Sequence, residues 1–135
     1  MSLLGYCKIV PSIVPVVSSS ALNEVVIDCA GFDRVCHIIA TGAIATGGTL
    51  EYSVTESAKS DGSSGSAITG AALTKVVEAG KENVYAIDIP VNPAKPYQLA
   101  VGVAATANVA VSAVAVLYEG SGTFPKTAAT EAIIL

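Results

Sequence analysis

His37 is the one histidine of the chain, and it lies in an apolar run next to Cys36 and eight residues after Cys29. A structural zinc site needs four cysteine or histidine ligands at short regular spacings, and the interval between Cys29 and Cys36 matches no usual pair. A Ser-His-Asp triad would need His37 together with Asp33 or Asp28 and a serine nucleophile, but no Gly-x-Ser-x-Gly turn is present. We therefore expect His37 to be a structural strand residue, either hydrogen-bonded in the interior or facing the surface.

The remaining polar motifs also lack the pattern that their chemistry requires. Residues 65–70 have the glycine spacing of a phosphate-binding loop, but alanines stand at 71–72, where lysine and serine or threonine are required. Glu51 and Glu56 lie in an alternating segment and are expected to be solvated, whereas glycosidases need two carboxyl groups facing each other across a cleft. Asp61 lies in a turn sequence without the Asp-x-Asp-x-Asp-Gly pattern of a calcium loop. The sequence therefore predicts no enzyme, no cofactor and no metal site.

Length and composition indicate one domain that associates with other chains. The chain has 135 residues, and its charged fraction of 13% is about half that of an average globular protein, while 52% of its residues are hydrophobic. A domain of this size cannot bury every face of several fully apolar strands, so we expect contact with another chain and a homo-oligomer. The formal net charge is −4 without any Lys/Arg cluster, which argues against direct nucleic-acid binding.

The cysteines and the N-terminus indicate a reducing compartment. Cys7, Cys29 and Cys36 cannot all pair within one chain, and their density is below that of a secreted disulfide scaffold. We expect reduced, partly buried thiols. The apolar N-terminal segment lacks the basic region of a secretion signal and is interrupted by Pro11 and Pro15. We therefore expect synthesis in the cytoplasm without export.

The uncharged stretch from Pro96 to Tyr118 decides the fold class. A membrane helix is one interpretation, but small and polar residues dilute its hydrophobicity and no Lys/Arg cluster lies beside it to orient it. Valines at Tyr97–Ala105 and Asn108–Tyr118, separated by a small polar break, favour two strands joined as a β-hairpin, without a membrane span. Both faces of Asn108–Tyr118 are apolar, so both are expected to be covered.

The rest of the chain reads as short strands at roughly ten-residue spacing. The segments are Ala21–Asp28, Arg34–Thr41, Thr49–Ser57 and Glu82–Ile89, with a short helical turn predicted at Ala67–Leu73. The pattern predicts an all-β fold, an antiparallel β-sandwich of jelly-roll-like type with extended N- and C-terminal arms. We assign residues 1–20 to the N-terminal arm, 21–118 to the sandwich domain and 119–135 to the C-terminal tail.

The apolar residues of the two arms are the predicted partner contacts. Prolines in the N-terminal segment remove ladder donors, which confines this segment to a sheet edge or a partner surface. The predicted contacts are Ile9, Val10, Ile13, Val14 and Val16 in the N-terminal arm, and Phe124, Pro125, Ile133, Ile134 and Leu135 in the tail.

Several turn and strand motifs between residues 31 and 118 resemble those of a known family. They are Gly31-Phe32-Asp33, Gly42-Ala43, Gly48-Thr49-Leu50, Val54-x-Glu56-Ser57, Asp61-Gly62, Pro96-Tyr97 and Val114-Ala115-Val116-Leu117. With these motifs the chain resembles the small head decoration, or cement, proteins of tailed bacteriophages. The resemblance implies a virion structural protein that is made in the host bacterial cytoplasm, binds the outer surface of the capsid and cements neighbouring major capsid protein subunits.

Two other readings remain open at the level of sequence. The chain is also compatible with another phage structural β-module, such as a tail, collar or fibre subunit, or with a carbohydrate-binding sandwich. A glycan-binding surface typically presents clustered Trp or Tyr side chains, and the sequence contains no Trp.

Overall fold

The computed structural model describes residues 6–22 and 24–120 of the chain. The described chain is built of β-strands, together with one short 3-10 helix. The strands are β1 Lys8–Ser18, β2 Val26–Asp28, β3 Phe32–Ile44, β4 Thr49–Ser57, β5 Ser66–Ala72, β6 Val84–Pro90, β7 Tyr97–Ala105 and β8 Val109–Gly120, and the 3-10 helix is Glu78–Gly80. No helix in this part of the chain is long and apolar enough to cross a membrane.

The strands form two four-stranded sheets in the orders β1-β8-β3-β6 and β2-β7-β4-β5. All ladders are antiparallel. Four of them join β1 with β8, β2 with β7, β3 with β6, and β4 with β5, as when one long hairpin is rolled up into two sheets. This is the jelly-roll arrangement. The predicted antiparallel jelly-roll sandwich is therefore confirmed.

The core lies between the two sheets and follows the two-residue period of the strands. On β8 the odd-numbered residues from Val109 to Leu117 point inward, and on β3 Val35, His37 and Ile39 do so. The second sheet contributes Leu50, Tyr52 and Val54 of β4 and the even-numbered residues of β7. The interior is aliphatic, with Tyr52 as its largest fully buried side chain.

The N-terminal segment is part of the sandwich, which corrects its assignment as an arm outside residues 21–118. It forms β1, which pairs with β8 from Lys8↔Leu117 to Ser18↔Val109. Ile13 is fully buried and reaches the second sheet, since a Cβ built on Gly102 of β7 would lie 3.0 Å from Ile13 Cδ1. The two prolines agree with the edge position of this strand, because an edge strand can lack ladder donors.

Two local predictions are wrong. β7 and β8 do not form a hairpin, because β7 belongs to one sheet and β8 to the other; consecutive strands of a sandwich often cross between its sheets. The helical turn predicted at Ala67–Leu73 is strand β5, which pairs with β4 through Thr55↔Ala67 and Ser53↔Ala72. Its alanines favour a helix locally, but pairing with β4 overrides this weak preference.

We predict that Ile13→Ala lowers the free energy of unfolding by about 2–5 kcal/mol, because it leaves a cavity between the sheets. Val14→Ala is the matched control, since the neighbouring Val14 is 45% exposed, and it should change stability by no more than about 0.5 kcal/mol. Urea unfolding of both variants measures the difference. Equal, near-zero effects would mean that residues 8–18 are an arm after all.

Candidate functional site

The sheet β1-β8-β3-β6 packs on the core with one face, and its opposite face, here named the outer face, is turned away from the second sheet. The outer face consists of the alternate positions of the four strands, none of which is buried. They are Ile9, Pro11 and Val17 on β1, Ala110, Ser112, Val114, Val116 and Tyr118 on β8, Arg34, Cys36, Ile38, Ala40 and Gly42 on β3, and Val84, Ala86, Asp88 and Pro90 on β6, while the exposed Val14 and Pro15 lie where the β1–β8 ladder is irregular.

Strand pairing aligns the apolar residues of the outer face in rows. In the middle row, Val114 lies opposite both Pro11 on β1 and Ile38 on β3, and Ile38 lies opposite Ala86 on β6. Directly opposed side chains on antiparallel strands have Cβ atoms about 4.5–5.5 Å apart, so this row is a continuous apolar strip across the sheet. Val114, in the middle of this strip, is 38% exposed, and Pro11 and Ala86 are exposed as well. The strip is therefore accessible to a partner.

The charged residues of the outer face sit together at one end. Arg34 Nε lies 3.2 Å from Asp88 Oδ1 and donates to the Tyr118 hydroxyl at 3.1 Å. The Tyr118 hydroxyl in turn donates to Asp88 Oδ2, and this hydrogen bond raises the pKa of Tyr118. The two opposite charges neutralise each other locally, so this end of the face is polar without a net charge.

An open depression of about 470 Å³ occupies the other end of the outer face. Small residues, Ala40, Gly42, Ala110 and Ser112, form its floor. Val17 on β1 borders the depression. It follows directly after the part of β1, between Ile13 and Val16, where the ladder to β8 is irregular. The depression can accept aliphatic side chains of a partner but offers no charged group to bind an ion.

The predicted partner contacts divide into three groups. Ile9 lies on the outer face opposite Val116, and Val14 is exposed in the irregular part of β1, so a partner can reach both. Ile13 belongs to the core, and the partly buried Val10 and Val16 each pack against one of the two core clusters, so these three residues contribute to the sandwich. The remaining predicted contacts, Phe124, Pro125, Ile133, Ile134 and Leu135, lie outside the described residues.

Most of the outer face was missed as a site, although part of its signal is present in the sequence. Odd- and even-numbered positions of Asn108–Tyr118 are both apolar, which predicted that both faces of this strand are covered. Val114 lies on the face that is turned away from the core. Ile38, Val84 and Ala86 join it only because β3 pairs with β8 and β6. That order of strands has no local sequence signature.

His37 lies in the core, in a polar cluster that joins the two sheets. Its Nε2 is 2.8 Å from Gln98 Oε1, and its Nδ1 is 3.2 Å from the Tyr52 hydroxyl. Because Gln98 Oε1 only accepts, Nε2 carries the proton and Nδ1 accepts from Tyr52, so the neutral ring is satisfied on both sides. Burial lowers the pKa of His37 and raises that of Tyr52 to about 12. The expected structural role of His37 agrees with this geometry.

The cysteines do not converge with His37. Cys36 and His37 are consecutive on β3 and therefore point to opposite faces of the sheet, while Cys29 lies in a second core cluster near Phe32 and Leu117. Burial raises the pKa of Cys29 to about 12, so this thiol stays protonated at neutral pH. Within residues 6–22 and 24–120, no group of three or more His, Cys, Asp and Glu side chains could hold a metal ion.

Fold and surface together define a jelly-roll β-sandwich with an open apolar sheet face. No protein-family model and no curated protein matches the chain. Among solved structures, the chain is similar to a protein of the disulfide-linked pili that form Bacillus endospore appendages, with 13% sequence identity and a TM-score of 0.40 over 93% of this chain and 96% of that chain. A similarity at this level does not transfer the assembly of those pili to this chain.

We predict that the free energy of unfolding falls as the pH is lowered from about 7.5 to 5.5. The pKa of His37 is below 6.5 in the folded state, so the unfolded chain binds the proton first and stability is lost below the unfolded pKa of about 6.5. The slope approaches at most about 1.4 kcal/mol per pH unit. Urea unfolding across this range measures it.

His37→Gln should remove this slope, whereas Tyr52→Phe should keep it, because the imidazole remains buried. An identical slope in the His37→Gln variant would contradict the assignment.

Proposed function

We propose that this protein is a structural, non-catalytic virion component that binds the outer surface of a phage capsid and cements neighbouring major capsid protein subunits. The observation that supports this function is the outer face, an exposed apolar sheet surface with one neutralised ion pair at its end. Contiguous apolar surfaces that are exposed in this way are characteristic of protein interfaces. The identity of the partner rests on the resemblance of residues 31–118 to phage decoration proteins.

The chemistry of the outer face favours a protein partner over a nucleic acid or a glycan. Phosphate backbones are bound by clustered lysines and arginines, and Arg34 is the one basic side chain on this face, already paired with Asp88. Sugar rings stack on exposed aromatic side chains. Among the large hydrophobic residues that are exposed in the described chain, Tyr6 is the one aromatic, at 40% exposure. In the described residues, the carbohydrate-binding alternative therefore lacks a cluster of exposed aromatic side chains on which sugar rings could stack.

We predict that Val114→Lys weakens binding to capsids by at least about tenfold, because it places an unpaired charge in the middle row of the outer face. Val103→Lys is the matched control: Val103 lies on β7 in the other sheet and is 39% exposed, against 38% for Val114. The control should bind like the unmodified protein. Co-sedimentation with heads assembled from the cognate major capsid protein measures the affinities.

Cryo-electron microscopy of the same particles locates the protein. Density for the sandwich on the outside of the shell, with its β1-β8-β3-β6 sheet toward the capsid, is the expected result. Heads that do not bind the protein would rule out the cementing function, and a location in the tail, collar or fibres would establish the alternative structural role. Equal loss of binding in both lysine variants would exclude the outer face as the binding surface.

A further inference from the structure

We infer that the outer face of the free protein is covered by the outer face of a second copy, so that the chain forms a symmetric face-to-face dimer in solution. The inference concerns the protein before it meets any other partner. Its test uses the protein alone, so its outcome is distinguishable from that of the proposed capsid function, which needs the same face to become free.

The charge distribution of the outer face permits two copies to meet. The middle row, with Val114, Ile38 and Ala86, contains no charged side chain, so two such rows can pack together without like-charge repulsion. Arg34 and Asp88 lie at one end of the face, at the rim of such an interface, and are already paired within each copy. The low net charge of −4 also opposes association only weakly.

The size of the outer face fits a weak but specific dimer. Four strands spaced about 4.8 Å apart are about 19 Å wide, and the nine residues from Arg34 to Gly42 span about 30 Å at about 3.3 Å per residue. The footprint is thus about 570 Å² per copy, or about 1,100 Å² for two copies. Specific interfaces begin near about 1,000 Å² in total, and stable ones bury about 1,600 Å². A dimer that dissociates on dilution is expected.

The shape of the outer face also allows its side chains to interdigitate with those of a second copy. Val17 and Val84 are the most exposed of its valines, at 66% and 69%. The depression over Ala40 and Ala110 provides about 470 Å³ for side chains that enter from a facing sheet. Sheets that pack face to face interlock their side chains in this way.

Cys36 is a natural reporter of this contact. It lies on the outer face, opposite Val116, whereas Cys7 and Cys29 are fully buried. A thiol reagent added to the folded full-length chain should therefore modify Cys36 first. A second copy over the outer face would slow this reaction, and the slowing would depend on protein concentration.

The test combines light scattering with the rate of maleimide labelling of Cys36 in the full-length protein. We expect the mass of a dimer at high concentration and the mass of a monomer on dilution. Well above the dissociation constant the monomer fraction falls with the square root of concentration, so a hundredfold rise should slow labelling about tenfold. Val114→Lys should be monomeric with fast labelling at every concentration, and Val103→Lys should behave like the unmodified chain.

The opposite results overturn the inference. A monomer with fast, concentration-independent labelling would show that the outer face stays open. A monomer with slow labelling at every concentration would also overturn it, because protection that does not depend on concentration does not come from a second copy. Dissociation by Val103→Lys as well would place the contact elsewhere. Circular dichroism checks folding, and Ala86→Lys on the exposed strand β6 replaces Val114→Lys should that variant unfold.

Discussion

The position of β8 between β1 and β3 is the constraint on which the rest of the structure depends. β8 carries no charged residue from Val109 to Tyr118, and both neighbours satisfy its backbone. Its inward residues, with Ala113, Ala115 and Leu117, close the core. Because the side chains of a strand alternate between faces, an uncharged strand in this central place also makes the opposite face apolar. The buried core and the exposed outer face are two consequences of one sequence.

The core contains a polar cluster between the two sheets. His37, Gln98 and Tyr52 join the two sheets through hydrogen bonds at a place where aliphatic side chains would otherwise pack. Hydrogen bonds have directional preferences that aliphatic contacts lack, so this cluster fixes how the sheets are aligned as well as how far apart they lie. The stability that this cluster provides depends on the imidazole of His37 remaining neutral. His37 thus helps to hold the two sheets together.

Local pattern was sufficient to predict several strands, although not β5, and it was insufficient to predict which strands are neighbours. β4 at Thr49–Ser57 and β7 at Tyr97–Ala105 agree residue for residue with the predicted segments, because their alternation or valine content is strong. The hairpin between β7 and β8 was wrong, since adjacency in sequence says little about pairing across a sandwich. Most of the candidate site was missed for the same reason. The apolar strip needs β1, β3 and β6 beside β8, and only the tertiary structure brings these strands together.

The prolines of β1 bear on the size that any assembly of this protein can reach. Pro11 and Pro15, which have no amide donor, lie on the edge strand β1, and residues 24–25 cover part of this edge through Val25 N–H to Ser12 O and the bridge between Ile13 and Glu24. Addition at an edge creates a new edge and can continue without limit, whereas a contact between two identical faces uses up both surfaces and stops. Blocking the β1 edge while leaving the sheet face open therefore favours closed complexes over endless fibres.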